Sequence, residues 1–211
     1  MWEAIQHFFD KVMKSHGVRN TYFPIFIPEH YFKLEAEHAE GFTPEVAWVT
    51  HAGNTPLEEK LAIRPTSETI MCVSFKKWLR SHRDLPLLIN QWCNVVRWET
   101  KSTRPFLRSR EFLWQEGHCL HATQEENANM VADMLIEYKK LCEELLAVAV
   151  IPGRKTDNEK FAGASATYTI EALMPDGKCL AALLINSAQT GWTSRSLCRD
   201  IPQEPPSLSQ I

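Results

Sequence analysis

The stretch from Val95 to His118 constrains the fold most, because it reads as two β-strands joined by a basic loop, Thr100–Arg110. Side chains on a strand alternate between its two faces, so Arg97 and Glu99 share one face of the first strand. On the second strand the same alternation predicts one row of side chains: Phe112, Trp114, Glu116 and His118. The loop adds four cations: Lys101, Arg104, Arg108 and Arg110. This pattern favours a site that binds a nucleotide and an anion together.

An ordinary sheet with a solvated ion-pair face would also place an arginine and a glutamate two residues apart. That alternative does not account for the apolar run Leu87–Trp98, which leads into the Arg-x-Glu pair, or for the basic loop and the aromatic row that follow it. Any two of these residues alone are weak evidence. The combination favours a binding site.

The composition predicts a globular protein whose nucleic-acid contacts, if it makes any, are local. At 211 residues with 44% hydrophobic residues, the chain can form one domain with a sizeable core. A net charge of -3 argues against a surface that binds nucleic acid as a whole. The 6 cysteines include no Cys-x-x-Cys pair, so reduced thiols in a cytoplasmic protein are expected.

A metal site is not expected. His118 and His121 flank Cys119 in the sequence, but strand alternation places the two histidines on opposite faces. The first ten residues contain Glu3 and Asp10 and do not resemble a secretory signal. The longest apolar runs fall far short of the roughly 20 residues of a membrane helix, so a soluble protein is predicted.

The order of elements predicts an α+β domain built on an antiparallel sheet flanked by helices. The predicted helices begin at Trp2, at Glu68 after a Ser67 cap and running towards Ser81, and after a Thr123–Glu126 capping box. The predicted strands, besides the two above, are Asn20–Pro28, Glu45–Thr50, Leu61–Arg64, Tyr168–Leu173 and Cys179–Ile185, with a turn over Gly53–Glu59. Residues 1–186 are expected to form the domain, and 187–211 a disordered, Pro- and Ser-rich tail.

Three segments resemble the catalytic core of class II aminoacyl-tRNA synthetases, and most closely that of prolyl-tRNA synthetases of the eukaryotic and archaeal type. The run GVRNTYFPIF, from Gly17 to Phe26, is similar to the first class II motif, which forms the dimer interface in that family. The run RWETKSTRPFLRSREF, from Arg97 to Phe112, is similar to the second motif, which binds ATP. The run RPTSE, from Arg64 to Glu68, resembles the loop that recognises the substrate amino group.

The resemblance implies a role for each matching residue. Arg97 would hold the α-phosphate and the substrate carboxylate, and Glu99 would accept a hydrogen bond from the adenine amino group. Phe112 would stack on the adenine and Arg108 would reach the γ-phosphate. The implied proline-binding residues are Thr66 and Glu68 at the ammonium, Arg97 at the carboxylate, and Trp114, Glu116, His118 and Phe161 around the ring.

The function implied by the resemblance is that of a proline–tRNA ligase in translation. Proline and ATP, with Mg2+, would form prolyl-adenylate, and proline would then pass to tRNA(Pro) through domains that lie outside this chain. A homodimer through residues 17–28 is implied as well, and no membrane partner.

The sequence departs from the family after Leu180, where Ala181–Ser187 stands in place of a Gly-Thr-Ser-His run. The third class II motif and the anticodon-binding domain are absent, so the chain is expected to be a truncated catalytic core. The alternative function is therefore a non-catalytic, synthetase-like module that binds ATP or dimerises.

Overall fold

A computed structural model describes residues 1–31, 46–98, 103, 105, 108–161, 164–174, 177 and 179–187, with the backbone alone at 181–184. Glu99, Lys101 and Arg104 lie outside these residues, and so does the segment 188–211. The adenine contact assigned to Glu99 and the disordered tail therefore remain predictions. Ser187, where the tail was expected to begin, is the last residue of a strand.

Helices and antiparallel sheets alternate along the described part of the chain, which confirms the α+β class. The helices are α1 (Trp2–Ser15), α2 (Glu68–Trp78) and α3 (Gln124–Lys140), with a 3-10 turn at His82–Asp84 and a π-helical turn at Leu141–Leu145. The strands are β1 (Arg19–Asn20), β2 (Phe26–Pro28), β3 (Trp48–Ala52), β4 (Thr55–Ile63), β5 (Leu87–Val96), β6 (Glu111–Leu120), β7 (Ile151–Arg154), β8 (Ala166–Leu173) and β9 (Cys179–Ser187). None of the helices in these ranges is long and apolar enough to cross a bilayer.

The chain divides into two compact units. Unit 1 comprises 1–19, 85–88 and 118–192, and unit 2 comprises 20–84, 89–117 and 193–211. In unit 1, α1 buries Phe9 and Met13, as its apolar spacing predicts. Gly17, at φ +78°, ends the helix, because its N–H donates to Lys14 and the Val18 N–H donates to Met13, both at 3.0 Å.

The second layer of unit 1 is the antiparallel sheet β7–β8–β9. Helix α3 contacts β8 and β9 of this sheet as well as the π-helical turn that follows it. The core of this layer consists of Cys142, Val150, Ile170 and Ala172. Strands β8 and β9 confirm the two predicted near the end of the chain, whereas β7 was not predicted. Its residues are all exposed and include Pro152 and Gly153, so neither alternation nor strand propensity marks it.

The predicted capping box of α3 is present. The Thr123 hydroxyl accepts from the Glu126 N–H at 3.2 Å, and the Glu126 carboxylate accepts from the N–H of Thr123 at 3.4 Å. We expect Thr123→Ala to lower the free energy of unfolding by about 1 kcal/mol, because the Glu126 N–H loses the hydroxyl that accepts its hydrogen bond. Thr123→Ser keeps the cap and should retain most of that stability in urea denaturation. Equal midpoints for the alanine variant and the unmodified protein would contradict a stabilising cap.

Unit 2 contains the sheet β2–β4–β3. Two predictions for this part of the chain differ from the structure. The strand expected over 20–28 is split between two sheets: β1 neighbours β5, with the Thr21 N–H donating to the Asn90 carbonyl at 2.8 Å, whereas β2 pairs with β4 from Phe26 onwards. The turn expected over 53–59 is also wrong. Strand β4 already begins at Thr55, and only Gly53, at φ +60°, and Asn54 separate it from β3.

The strands that carry the candidate site are β5 and β6, which form a sheet with β1 in the order β1–β5–β6. The side chains of Leu87, Ile89, Gln91, Cys93 and Val95 are buried on one face of β5, and Asn90 is buried on the other. The N–H of Arg97, just after β5, donates to the Arg110 carbonyl at 2.8 Å, just before β6. Arg97 is therefore held beside the start of β6, as the predicted hairpin requires.

Candidate active site

Arg97 and two aromatic side chains of β6 converge, as the alternation along both strands predicts. The guanidinium carbon of Arg97 lies 5.6 Å from the ring centroid of Phe112 and 5.3 Å from that of Trp114. Its Nε donates to the Pro65 carbonyl at 3.1 Å. Aromatic faces attract a guanidinium, and the carbonyl fixes its rotation. Arg97 thus presents a permanently charged fork at an aromatic wall, a chemistry that suits an oxyanion joined to a planar group.

A hydroxyl and a carboxylate, those of Thr66 and Glu68, lie at the start of α2, directly after the Pro65 carbonyl that Arg97 contacts. The Thr66 hydroxyl donates to the Glu68 carboxylate, and both side chains are half-buried. Glu68 is the first residue of the helix. A partly desolvated carboxylate with a fixed hydroxyl neighbour is suited to binding an ammonium group.

The segment from Arg64 to Glu68, here called the 64–68 turn, is tied to the end of β5 by its backbone. The Val96 N–H donates to the Arg64 carbonyl at 3.1 Å, and the Pro65 carbonyl accepts from Arg97 Nε. The same side chain that faces the aromatic wall therefore also contacts the turn. A guanidinium, an aromatic wall and a carboxylate are brought to one region within unit 2.

Arg64 is fully buried, which the sequence did not indicate. Its Nε donates to the Asn94 carbonyl at 2.8 Å, Nη1 to the Phe23 carbonyl at 2.7 Å and Nη2 to the Asn94 side-chain oxygen at 3.1 Å. Its guanidinium also lies over the ring of Tyr22, at 5.2 Å. A buried arginine needs several oxygen acceptors, and these contacts supply them from two separate chain segments. Arg64 therefore joins the segment before β2 to β5.

Glu116 lies deeper than the other predicted residues of β6, at 8% exposure. Its Oε1 accepts hydrogen bonds from the Ser67 hydroxyl, from Gln91 Nε2 at 2.8 Å and from the Cys93 thiol at 3.5 Å. Gln91 Nε2 also donates to Ser67 Oγ at 2.9 Å. Ser67 is the N-cap residue of α2, as predicted, but its side chain makes no capping hydrogen bond: its hydroxyl donates to Glu116 and accepts from Gln91.

Cys93 is a buried thiol rather than a reactive one. Burial and, to a lesser extent, the neighbouring Glu116 carboxylate raise the pKa of Cys93 to about 11. The Trp114 indole Nε1 donates to its sulfur at 3.2 Å. The thiol thus links the polar cluster around Glu116 to the aromatic wall.

We expect Cys93 to resist alkylation by iodoacetamide at pH 8, where a pKa near 11 leaves about one thiol in a thousand ionised. Because the thiolate is the nucleophile, its rate of modification should rise about tenfold per pH unit above pH 8 for as long as the fold persists. Cys179, which is exposed, provides the comparison in peptide mass spectrometry. Labelling of Cys93 at pH 8 as fast as that of Cys179 would contradict this assignment.

Three predicted site residues, Arg108, His118 and Phe161, have no contact with Arg97 or the 64–68 turn among those described above. Arg108 is exposed in the short described part of the loop. His118 lies half-buried near the end of β6, and Phe161 is half-buried with its N–H donating to Thr167 Oγ1 at 2.9 Å. These last two residues belong to unit 1. Their roles stay predictions.

Comparison with known proteins places this geometry in a family. Residues 48–196, more than half of the chain, match the family described as tRNA synthetase class II core domain (G, H, P, S and T). The chain belongs to this family. The five letters in the description stand for the amino acids of the synthetases that share this core domain. The resemblance seen in the sequence motifs is confirmed.

Within the family, the similar proteins point to one amino acid. The chain is 62% identical over 180 residues to proline–tRNA ligase 2 of Clostridioides difficile strain 630 and 62% identical over 182 residues to proline–tRNA ligase of Alkaliphilus oremlandii strain OhILAs. These matches cover 85% and 86% of this chain. A crystal structure of prolyl-tRNA synthetase from Cryptosporidium parvum, complexed with halofuginone and AMPPNP, matches with a TM-score of 0.81 and 52% identity over 87% of this chain.

The similarity covers a minor part of each relative. The chain spans 37% and 38% of the two ligases and 36% of the Cryptosporidium chain. The fold and the family are thus established for this core, while the activity of a whole ligase is not thereby assigned to it.

Proposed function

We propose that this chain carries the amino-acid-activating site of a proline–tRNA ligase. The observation that supports this most is the convergence of Arg97 with Phe112 and Trp114 beside the 64–68 turn. The identity of 62% to two proline–tRNA ligases favours proline over the other amino acids of the family.

In the proposed reaction, a proline carboxylate oxygen attacks the α-phosphorus of ATP and pyrophosphate leaves. Arg97 holds the α-phosphate and the proline carboxylate, so that its charge offsets the charge of two anions that must approach each other. Its anchoring through Nε leaves the fork pre-oriented before the substrates bind. No protein nucleophile takes part, and positioning and charge stabilisation supply the rate.

Binding of the substrates is assigned to the aromatic wall and to the 64–68 turn. Phe112 stacks on the adenine, while Glu99 and Arg108 contact its amino group and the γ-phosphate. The Glu68 carboxylate and the Thr66 hydroxyl bind the secondary ammonium of proline, and Trp114 contacts the ring. Mg2+ enters with the ATP phosphates as part of the nucleotide substrate.

Transfer of proline to tRNA(Pro), homodimerisation and a cytoplasmic location belong to the same proposal. The homodimer is assigned to residues 17–28, where Tyr22 is 70% and Phe26 46% exposed. A second copy bound at this surface would remove both aromatic side chains from water. Recognition of the tRNA would depend on parts of a ligase that lie beyond the matched core.

A second candidate is a non-catalytic module that binds ATP or dimerises. The observation that favours it is the sequence Ala181–Ser187, which replaces the family's Gly-Thr-Ser-His run at one side of the proposed proline site. Such a module would retain the aromatic wall and Arg97 but lack a complete site for the amino acid.

Calorimetric titration with a non-hydrolysable prolyl-adenylate analogue separates the two candidates. A site for both substrates should bind the analogue at least 100-fold more tightly than AMPPNP, because one molecule fills both halves and loses its translational freedom once. The matched control is the corresponding threonyl-adenylate analogue, which should gain little over AMPPNP. Equal affinity for all three compounds would instead support the non-catalytic module.

A further inference from the structure

We propose that Glu116 is a positioning residue for the 64–68 turn rather than a direct contact of the proline ring. The inference rests on the proposed function, since it concerns how the ammonium-binding residues of that site are held. It assigns a role in the site to Ser67, which the sequence analysis treats only as a helix cap, and to Gln91, which no motif includes.

The side chain of Ser67 points away from the region where the neighbouring residues would bind substrate. Ser67 is fully buried, whereas Thr66 and Glu68 on either side are half-buried and bond to each other. The buried hydroxyl donates to Glu116 Oε1 on β6. Since adjacent residues share a rigid peptide plane, a bond that fixes Ser67 also fixes the backbone that carries Thr66 and Glu68.

Gln91 closes this link from the third element. Its Nε2 donates to both Ser67 Oγ and Glu116 Oε1, at 2.9 and 2.8 Å, and its Oε1 accepts from the Phe23 N–H. Gln91 is fully buried on β5. The three side chains therefore join the turn, β5 and β6 by hydrogen bonds that are shielded from water, where each bond is stronger and a missing partner is costly.

The backbone of the turn is fixed at its other end by different groups. Val96 and Arg97 donate to the carbonyls of Arg64 and Pro65. The hydrogen bonds of the Ser67 hydroxyl with Glu116 and Gln91 hold the part of the turn that precedes Glu68. Removing the hydroxyl should release the ammonium-binding end of the turn and leave the Arg97 end, which contacts ATP, in place.

The test is the Ser67→Ala variant in proline-dependent exchange of labelled pyrophosphate into ATP. The variant loses the hydrogen bond to the buried Glu116 carboxylate and the one accepted from Gln91, which should raise the KM for proline about tenfold. The KM for ATP should change less than twofold, a split that general destabilisation would not produce. Ser74→Ala is the matched control, because Ser74 lies within α2 and its hydroxyl donates at 3.1 Å to the carbonyl of Ile70 in the same helix.

Glu116→Gln is the conservative second variant. Its amide oxygen can still accept from Ser67, so its KM for proline should rise less than that of Ser67→Ala. Folding of each variant is checked by circular dichroism. If Ser67→Ala folds and its KM values for proline and ATP both stay unchanged, or both rise together, the positioning role is wrong.

The two proposals fail in different ways. An unmodified chain that neither exchanges pyrophosphate with proline nor binds proline overturns the proposed function and the positioning role with it. An unmodified chain that is active, beside a folded Ser67→Ala variant with the same KM for proline, overturns the positioning role alone.

Discussion

Replacing Arg97 with alanine is expected to lower proline-dependent pyrophosphate exchange by about 10²–10³-fold, the effect of removing one group that stabilises developing charge, about 2.7–4 kcal/mol. The side chain is half-buried between Phe112 and Trp114 and donates to Pro65 through Nε. Its loss removes the cation at the point where two anions meet. The fold should persist, because Arg97 belongs to the edge of the site and not to the buried core.

Two comparisons make the Arg97 experiment specific. Arg97→Lys keeps the charge but not the fork, so its activity should lie between those of the alanine variant and the unmodified chain. Arg80→Ala removes an exposed arginine of the same unit and should leave exchange unchanged. Full activity of a folded Arg97→Ala variant would contradict the assigned role.

Replacing Arg64 with leucine should have the largest effect on stability, lowering the free energy of unfolding by about 3 kcal/mol. The Phe23 carbonyl would lose its donor at a buried position, and the Asn94 carbonyl would lose its donor at a partly buried one. Removal of a buried charge offsets part of this cost, since the guanidinium no longer needs to be desolvated. The loss of stability remains because leucine cannot bond to either carbonyl.

Denaturation in guanidinium chloride tests this expectation. Arg64→Lys retains the charge but cannot reach both segments with one planar fork, so its midpoint should also fall, though less. Arg83→Leu, at an exposed position of the 3-10 turn, is the control and should match the unmodified protein. A midpoint for Arg64→Leu equal to that of the control would show that the buried bonds contribute no net stability.

Elements with local signals could be predicted from the sequence. The capping box at Thr123 and the glycine after α1 depend on residues within one turn, and both are found where expected. Alternation along β5 and β6 likewise predicts that Arg97, Phe112 and Trp114 converge, because the direction of a strand side chain depends on its position alone.

Contacts between distant segments could not be predicted. Ser67 has the sequence context of a helix cap, but its hydroxyl bonds to Glu116, 49 residues away. Arg64 resembles one more polar residue of a loop, yet it is fully buried. Both outcomes depend on which oxygen atoms the fold brings near, and single-sequence patterns carry no record of that.

The central claim is that the residues of this core activate proline, and exchange of labelled pyrophosphate into ATP tests it most directly. The purified chain would be assayed with proline, threonine and serine in parallel, after circular dichroism shows that it is folded. Exchange with proline alone is the predicted result. A folded chain that binds AMPPNP but exchanges no pyrophosphate with proline would contradict the claim and support the non-catalytic module.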